Sequence, residues 1–412
     1  MLESDSACQD SRPDLLFLSH CVPNPPEKGE KIRAYHEIAY LADRYRIHLA
    51  CIGREESETG DARALAARCA SVYVACHSRS CALVRAATRF AAGACLNVAY
   101  YNSPRLQGYV TGLARRVHLQ AAFVYTAVML PYVPAGLPIL LDMVDVDSEK
   151  WFQYSEARRP GVLYALEAKR LRRFEEQCVK ASRLTVLATQ NEADLLSRII
   201  PQAPITYMEN GIDREFFDGV ARPLPVELAG RPFVAFVGTM DYSPNIEGAV
   251  WFAESAFPEL RRRVPGLEFF IVGRNPSAKV RHLARREGVR VIGAVPDVRP
   301  YLAGARAIVA PLDLARGIQN KVLEALAMGR RVFASEAVCR TFGSLLPVGV
   351  VPCASVQDYV EGLDASCRPT PHCDESIRAA ACERFSWKRN VENLARGLDC
   401  LREEPVAFPR VR

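Results

Sequence analysis

Short apolar runs recur along the chain, each followed by a stretch whose apolar residues fall at helical spacing, and this alternation constrains the fold more than any other feature. The first run, Asp14–Ser19 (DLLFLS), ends at His20 and a Pro/Gly-rich loop, CVPNPPEKGE, before Ile32, Tyr35, Ile38, Ala39 and Ala42 mark one face of a helix. Further strand-like runs are Ile47–Ile52, Ser71–Ala75, Ala121–Thr126, Ile139–Val144 and Arg183–Ala188. The largest helical block runs from about Ser148, a candidate N-cap, to Ala181, with Pro160-Gly161 as a break inside it. After ITYMENGIDREFF the alternation starts afresh, with expected strands Phe233–Gly238, Leu267–Gly273, Arg290–Ile292, Ala307–Ala310 and Arg331–Ala334. Expected helices Asn245–Arg263, Ser277–Glu287 and Asn320–Met328 lie between them, and a helical segment follows near Trp387–Leu401. Strands alternating with helices build parallel sheets covered on both faces. Two such series predict an α/β chain of two Rossmann-like domains facing a central cleft, with ligands beyond the carboxyl ends of the strands.

The length agrees, since 412 residues supply two domains at roughly 150 residues each. The expected boundaries are 1–208, 209–383 and a helical segment, 384–412, that packs back toward the first domain. Hydrophobic residues at 49% and charged residues at 24% place the chain among globular proteins and exclude disordered or collagen-like classes. The opening MLESDSACQDSR lacks the basic start and apolar run of a secretory signal, so a cytoplasmic location is expected. Fourteen cysteines are scattered singly with no CxxC pair, which fits small buried residues in a reducing compartment rather than disulfides or a metal site. The uncharged stretch Leu119–Leu141 is interrupted by Pro131, Pro134, Gly136 and Pro138, and reads as two buried strands and a turn rather than a membrane span.

The net charge of +6 is unevenly distributed. No acidic residue lies between Asp61 and Asp142, where Arg85, Arg89, Arg115 and Arg116 are among eight arginines. Such a patch suits an anionic membrane surface or a phosphate-bearing lipid acceptor; arginines solvating helix faces account for it equally.

The chemistry concentrates in Ala310–Ser335, APLDLARGIQNKVLEALAMGRRVFAS. A strand ends at Pro311, a loop runs to Gly317, and a helix starting near Asn320 aims unpaired backbone N–H groups back at that loop, where a phosphate is favoured. Lys321 in the first turn adds a full positive charge. Glu324, one turn on, suits the two hydroxyls of a ribose, and Gly329 ends the helix. Lys321 and Glu324 are equally consistent with ordinary helix neighbours when this segment is taken alone. In the first strand-to-helix turn, Gly29 permits close backbone approach to a ligand beside Lys28, Lys31 and Arg33. Asp142, Asp145 and Asp147 follow a buried strand, suiting Mg2+ or an acceptor hydroxyl, while Asp147 and Ser148 suit a helix cap equally.

GIQNKVLEALAMG resembles the nucleotide-binding signature of the retaining GT-B glycosyltransferases of family four. ENGIDREFF is similar to that family's interdomain passage, FVGTMDYSPNIEGAVWF to the first strand and turn of its donor domain, and FFIVGRNP to the third strand. VIGAVPDVRPYLAGARAIVAPL resembles the stretch before the signature. VPNPPEKGEKIRAYH and LLDMVDVDSEKW look closest to the exopolysaccharide sugar transferases that accompany exosortase and PEP-CTERM sorting.

The resemblance implies an acceptor-binding first domain and a second domain that binds a nucleoside diphosphate sugar. It further implies transfer with retention to a lipid-linked or growing polysaccharide acceptor at the inner face of the membrane, with no cofactor, metal or nucleic acid required. Donor contacts are then expected at Gly29, Lys31, Arg33, Gly238, Arg274, Arg316, Gln319, Asn320, Lys321 and Glu324, with Asp145 and Lys321 in catalytic roles.

Two departures stand out. Arg316 occupies the place of the family's first glutamate, and the basic Gly-(Arg/Lys)-x5-Lys pair after the first strand is replaced by Gly238-Thr239-Met240-Asp241-Tyr242. Phosphate neutralisation is therefore sought at Lys321, Arg316, Arg274 and the amino-terminal loop. A sugar-nucleotide epimerase of the same fold and a non-catalytic binder remain open. A dinucleotide-dependent dehydrogenase is disfavoured because neither first-strand turn carries GxGxxG.

Overall fold

The computed structural model describes residues 11–26, 29–54, 58–76, 78–157, 161–218, 223–228, 230–315, 317–367 and 373–402. The chain divides into two compact units, residues 1–208 with 391–412, and residues 209–390. In the first unit the described strands are β1 (Asp14–Ser19), β2 (Arg46–Gly53), β3 (Ser71–Cys76), β4 (Ala121–Tyr125), β5 (Ile139–Val144), β6 (Leu184–Leu187) and β7 (Ile205–Tyr207). They form one parallel sheet in the order β3-β2-β1-β4-β5-β6-β7. The second unit holds β8 (Phe233–Val237), β9 (Glu268–Val272), β10 (Val289–Gly293), β11 (Ile308–Ala310), β12 (Val332–Ser335) and β13 (Val350–Cys353). These also pair in parallel, in the order β10-β9-β8-β11-β12-β13.

Parallel strands covered on both faces need continuous rather than alternating apolar sequence. Leu15, Leu16, Phe17 and Leu18 of β1 and Phe233–Phe236 of β8 meet that need, and none is exposed. In each sheet the strand order reverses beside the first strand, between β1 and β4 and between β8 and β11. Ligands of doubly wound sheets bind at that switch, outside the carboxyl ends of the strands.

Several elements depart from the sequence expectation. Helix Asn245–Arg263 is in fact helix Ser243–Trp251, a π-helical turn Phe252–Ala256 and helix Phe257–Arg263. Pro258 has no N–H to give the preceding turn, and a widened turn accommodates the missing bond. Ser148 is not an N-cap, because the helix Asp147–Ala157 already includes it and its backbone N and Oγ donate to Glu175 at 3.0 and 2.5 Å. A second helix, Gly161–Ala181, follows. Helix Ser277–Glu287 shortens to Ala278–His282, capped by Ser277, plus a 3-10 turn Leu283–Arg285. Neither β7 nor β13 was legible as a strand. The stretch 119–141 supplies β4, a 3-10 segment Ala127–Tyr132 and β5. Among the described residues no helix is long and apolar enough to cross a membrane.

The helix Trp387–Arg402 starts in the second unit, where a Cβ on Gly211 would lie 2.5 Å from the Trp387 ring. From Val391 it belongs to the first unit, with Gly397 against Leu184 of β6 and Asp399 accepting from Tyr45 Oη at 2.5 Å and Arg44 Nη1 at 3.1 Å.

Candidate functional site

At the switch of the second unit, Gly238 follows β8 directly. A Cβ there would lie 2.8 Å from Asn245 Nδ2 and 3.2 Å from Lys321 Nζ, so only glycine leaves those polar groups in place. Gly273, after β9, has φ 151° and approaches so closely that a Cβ would fall 1.7 Å from Gly238 O. The loops after β8 and β9 are joined further by Met240 N donating to Arg274 O at 2.9 Å and Asn275 Nδ2 to Asp241 Oδ2 at 3.0 Å. Arg274 itself is half-buried at this edge.

The chain leaves β11 and enters the helix Asn320–Ala327 with Gln319 at the N-cap position. The Gln319 side chain makes no capping bond and donates instead to Gly317 O at 3.3 Å; Val322 N donates to Gln319 O at 2.9 Å, and the N–H groups of Asn320 and Lys321 are left uncapped by that side chain. Asn320 Oδ1 accepts from Asn210 Nδ2 at 2.9 Å, tying the start of this helix to the ENGIDREFF segment. Gly329, at φ 64°, ends the helix, and a Cβ there would press on Asp374 N at 2.7 Å.

Lys321 lies in the first turn with only 9% of its surface exposed. Its Nζ donates to Asn245 Oδ1 at 2.5 Å and sits 4.7 Å from the centre of the Phe236 ring. Burial lowers its pKa to about 7, partly opposed by the Glu324 carboxylate. Burial likewise pushes Glu324 up to about 6 against the pull of Lys321. Among the described residues Glu324 has no hydrogen-bond partner, so its carboxylate is available to ligand hydroxyls. An ammonium held beside glycine backbone and uncapped helix amides attracts a diphosphate, and a carboxylate one turn on accepts vicinal hydroxyls.

Asn245 and Phe236 were not singled out from sequence. A signal for Asn245 existed: it stands seven residues after Gly238, where the Gly-(Arg/Lys)-x5-Lys pattern places its lysine. Lys321, from another element, brings its amine to that residue.

The first unit corrects the sequence reading of Arg33. Its guanidinium is 1% exposed, with Nε 2.6 Å from Asp142 Oδ2 and 3.2 Å from Glu37 Oε1, while Nη1 donates to Met208 O at 2.7 Å. A cation enclosed by two carboxylates is an internal ion-pair partner and does not reach a diphosphate. Burial and the neighbouring Asp142 raise the Glu37 pKa well above the usual carboxylate range, despite Arg33. Lys31 pairs with Glu58 at 2.9 Å, and Gly29 is the exposed first residue of the helix Gly29–Leu41. Lys28 and Arg316 lie outside the described residues.

The acidic cluster after β5 does not converge. Asp142 turns into the Arg33 pair, Asp147 opens the helix Asp147–Ala157, and Asp145 is half-buried between them. Among the described residues no three His, Cys, Asp or Glu side chains gather closely enough to hold a metal ion. Val144, just before Asp145, has φ 67°, and Asp145 N donates across it to Met143 O at 2.8 Å in a tight three-residue turn. A β-branched residue at positive φ is strained, and such strain gathers at functional sites. Arg85 and Arg89 lie on the helix Arg79–Ala91, and Arg115 and Arg116 at the end of the helix Pro104–Arg116.

Two parallel sheets with these switch points define the GT-B fold, and solved structures agree over nearly the whole chain. Anabaena HepE in complex with UDP and glucose is 12% identical, with a TM-score of 0.65 over 94% of this chain and 100% of that one. Sucrose-phosphate synthase from Thermosynechococcus elongatus is 13% identical, with a TM-score of 0.64 over 95% and 99%. WaaG, a glycosyltransferase involved in lipopolysaccharide biosynthesis, is 13% identical, with a TM-score of 0.63 over 95% and 100%. Residues 231–361, which contain Gly238, Lys321 and Glu324, match the family described as Glycosyl transferases group 1. No curated protein sequence matches the chain.

Proposed function

We propose that the protein is a glycosyltransferase that moves a sugar from a nucleoside diphosphate sugar to a lipid-linked or growing polysaccharide acceptor in exopolysaccharide or cell-envelope synthesis. The observation that carries this reading is the Lys321 amine, buried beside Gly238 at the end of β8, with the Glu324 carboxylate one turn away and without a hydrogen-bond partner among the described residues. The amine and the helix amides hold the diphosphate, and Glu324 takes the ribose. Breaking the glycosidic bond leaves negative charge on the departing diphosphate, which a fixed ammonium in a water-poor setting stabilises with little reorganisation. Arg274, Gln319 and Asn320 border the same edge, and Asp145 is the candidate for an acceptor hydroxyl. The match of residues 231–361 to a glycosyltransferase family and the UDP bound in HepE support a donor of this class. Retention of configuration, with no resident cofactor, follows the sequence resemblance.

A thermal-shift panel of UDP-, GDP- and ADP-sugars tests the donor site, and a ligand at a hundred times its Kd stabilises by about 2.7 kcal/mol. One nucleotide series is expected to raise the transition. Mass spectrometry of products formed with lipid and oligosaccharide acceptors then tests transfer. Stabilisation by no nucleotide, or a sugar epimerised without acceptor, overturns the proposal.

A further inference from the structure

We propose that the first unit docks on an anionic lipid surface through a face formed by the helix Arg79–Ala91 and the first turns of the helix Gly161–Ala181. The helix Arg79–Ala91 is apolar on the wrong side for a purely soluble surface. Its buried residues are the small Ala82 and Ala86, whereas Leu83 and Val84 are 51% and 65% exposed. It carries no carboxylate, and the exposed Arg79 and Arg89 stand on either side of the apolar residues along the helix. Arg85 is half-buried, with its Nε and Nη2 turned into the protein, so Arg79 and Arg89 are the exposed arginines of this helix.

The second helix repeats the pattern. Val162, Leu163 and Leu166 are 79%, 53% and 37% exposed. Leu163, Leu166 and Arg170 share one helical face by their spacing. Arg170 lies over Phe90 at 4.5 Å from the ring centre and donates to Phe90 O at 2.7 Å and Ala94 O at 3.1 Å. The apolar face of the second helix therefore continues from the end of the first. Glu167 of the same helix is turned inward, accepting from Leu96 N and Asn97 N at 2.8 and 2.9 Å, and adds no negative charge to the face. Beside Leu163, the Tyr164 ring packs tilted against Trp151 and edge-on to Tyr154, with centres 5.8 and 6.2 Å away.

Charge complementarity selects the occupant. A few protruding aliphatic residues bordered by arginines, with tyrosine and tryptophan close by, match the apolar depth, anionic headgroups and aromatic belt of a lipid interface. A second copy of this chain would bring the same arginines against them. The proposal deepens the reading of a lipid-linked acceptor and rests on it for its purpose, but vesicle binding is measured without donor or acceptor, so each fails separately.

The full chain is expected to sediment with vesicles containing about 30% phosphatidylglycerol and not with pure phosphatidylcholine. Val84→Glu with Leu163→Glu is expected to reduce bound protein about fivefold or more, as is Arg79→Glu with Arg89→Glu at low salt, with nucleotide thermal shifts unchanged. Fluorescence of Val84→Trp is expected to be quenched by brominated phosphatidylglycerol beyond the quenching of the parent protein. Unchanged sedimentation of both double variants, or absence of extra quenching, overturns the proposal. So does a dimer that the Glu variants dissociate in velocity sedimentation without any vesicle binding by the parent.

Discussion

Lys321 Nζ lies 2.5 Å from Asn245 Oδ1, so the helix after β11 delivers its cation to the end of β8. The two residues are far apart in sequence, and the basic pair expected beside Asn245 is absent there. A positive charge on one element thus serves a position on another. Phe236 beneath the amine and Gly238 beside it leave that charge little water and no competing carbonyl side chain other than Asn245.

Lys321→Met keeps the aliphatic stem and removes the ammonium. Charge-assisted hydrogen bonds contribute about 1.5–3 kcal/mol, so nucleoside diphosphate affinity is expected to fall roughly tenfold to hundredfold by calorimetry. Unchanged affinity would remove Lys321 from the donor site.

Glu324→Ala is expected to weaken nucleotide binding several-fold and to erase the preference for a ribonucleotide over its 2′-deoxy form, because only the ribose offers the second hydroxyl. A preference that survives the substitution places the ribose elsewhere.

Donor affinity is expected to peak between about pH 6 and 7, the values to which burial brings Glu324 and Lys321. As pH falls through about 6 the Glu324 carboxylate is protonated, and as pH rises through about 7 the Lys321 ammonium is lost. Stability follows a different sign. Between about 7 and 10.5 the unfolded chain holds the Lys321 proton and the folded chain does not, so this residue makes stability rise with pH across that window. Dissociation constants of a nucleoside diphosphate sugar measured from pH 5 to 9 check the first point, and Lys321→Met should flatten the alkaline limb.

Arg33→Met leaves Asp142 and Glu37 buried without their cation. Breaking a buried pair costs about 3–5 kcal/mol, to be read from urea unfolding, while nucleotide binding by the second unit is expected to persist. Intact stability with lost donor binding would restore Arg33 to the donor site.

At Val144, φ 67° makes glycine the better small residue. Val144→Gly is expected to be more stable than Val144→Ala by about 1 kcal/mol, the reverse of the usual order, because only glycine enters that region without steric cost. The usual order in denaturant titration would contradict the strained turn.

The apolar runs by themselves determined the two parallel sheets, since a strand covered on both faces must be apolar without interruption, and β1 and β5 have the bounds expected from sequence. The helix that carries Lys321 and Glu324, and the glycine that ends it, were legible too, because a helix terminus and its first turns are local. What sequence could not decide was which cations are consumed by internal ion pairs. Arg33 and Lys321 are both cations near a strand-to-helix turn, yet one is enclosed by Asp142 and Glu37, contributed by β5 and its own helix. The other donates to a neutral amide over an aromatic ring, with Glu324 as its neighbouring carboxylate and no carboxylate hydrogen-bonded to it among the described residues. A charge's availability depends on what the rest of the chain packs against it, and that is fixed only when distant elements come together.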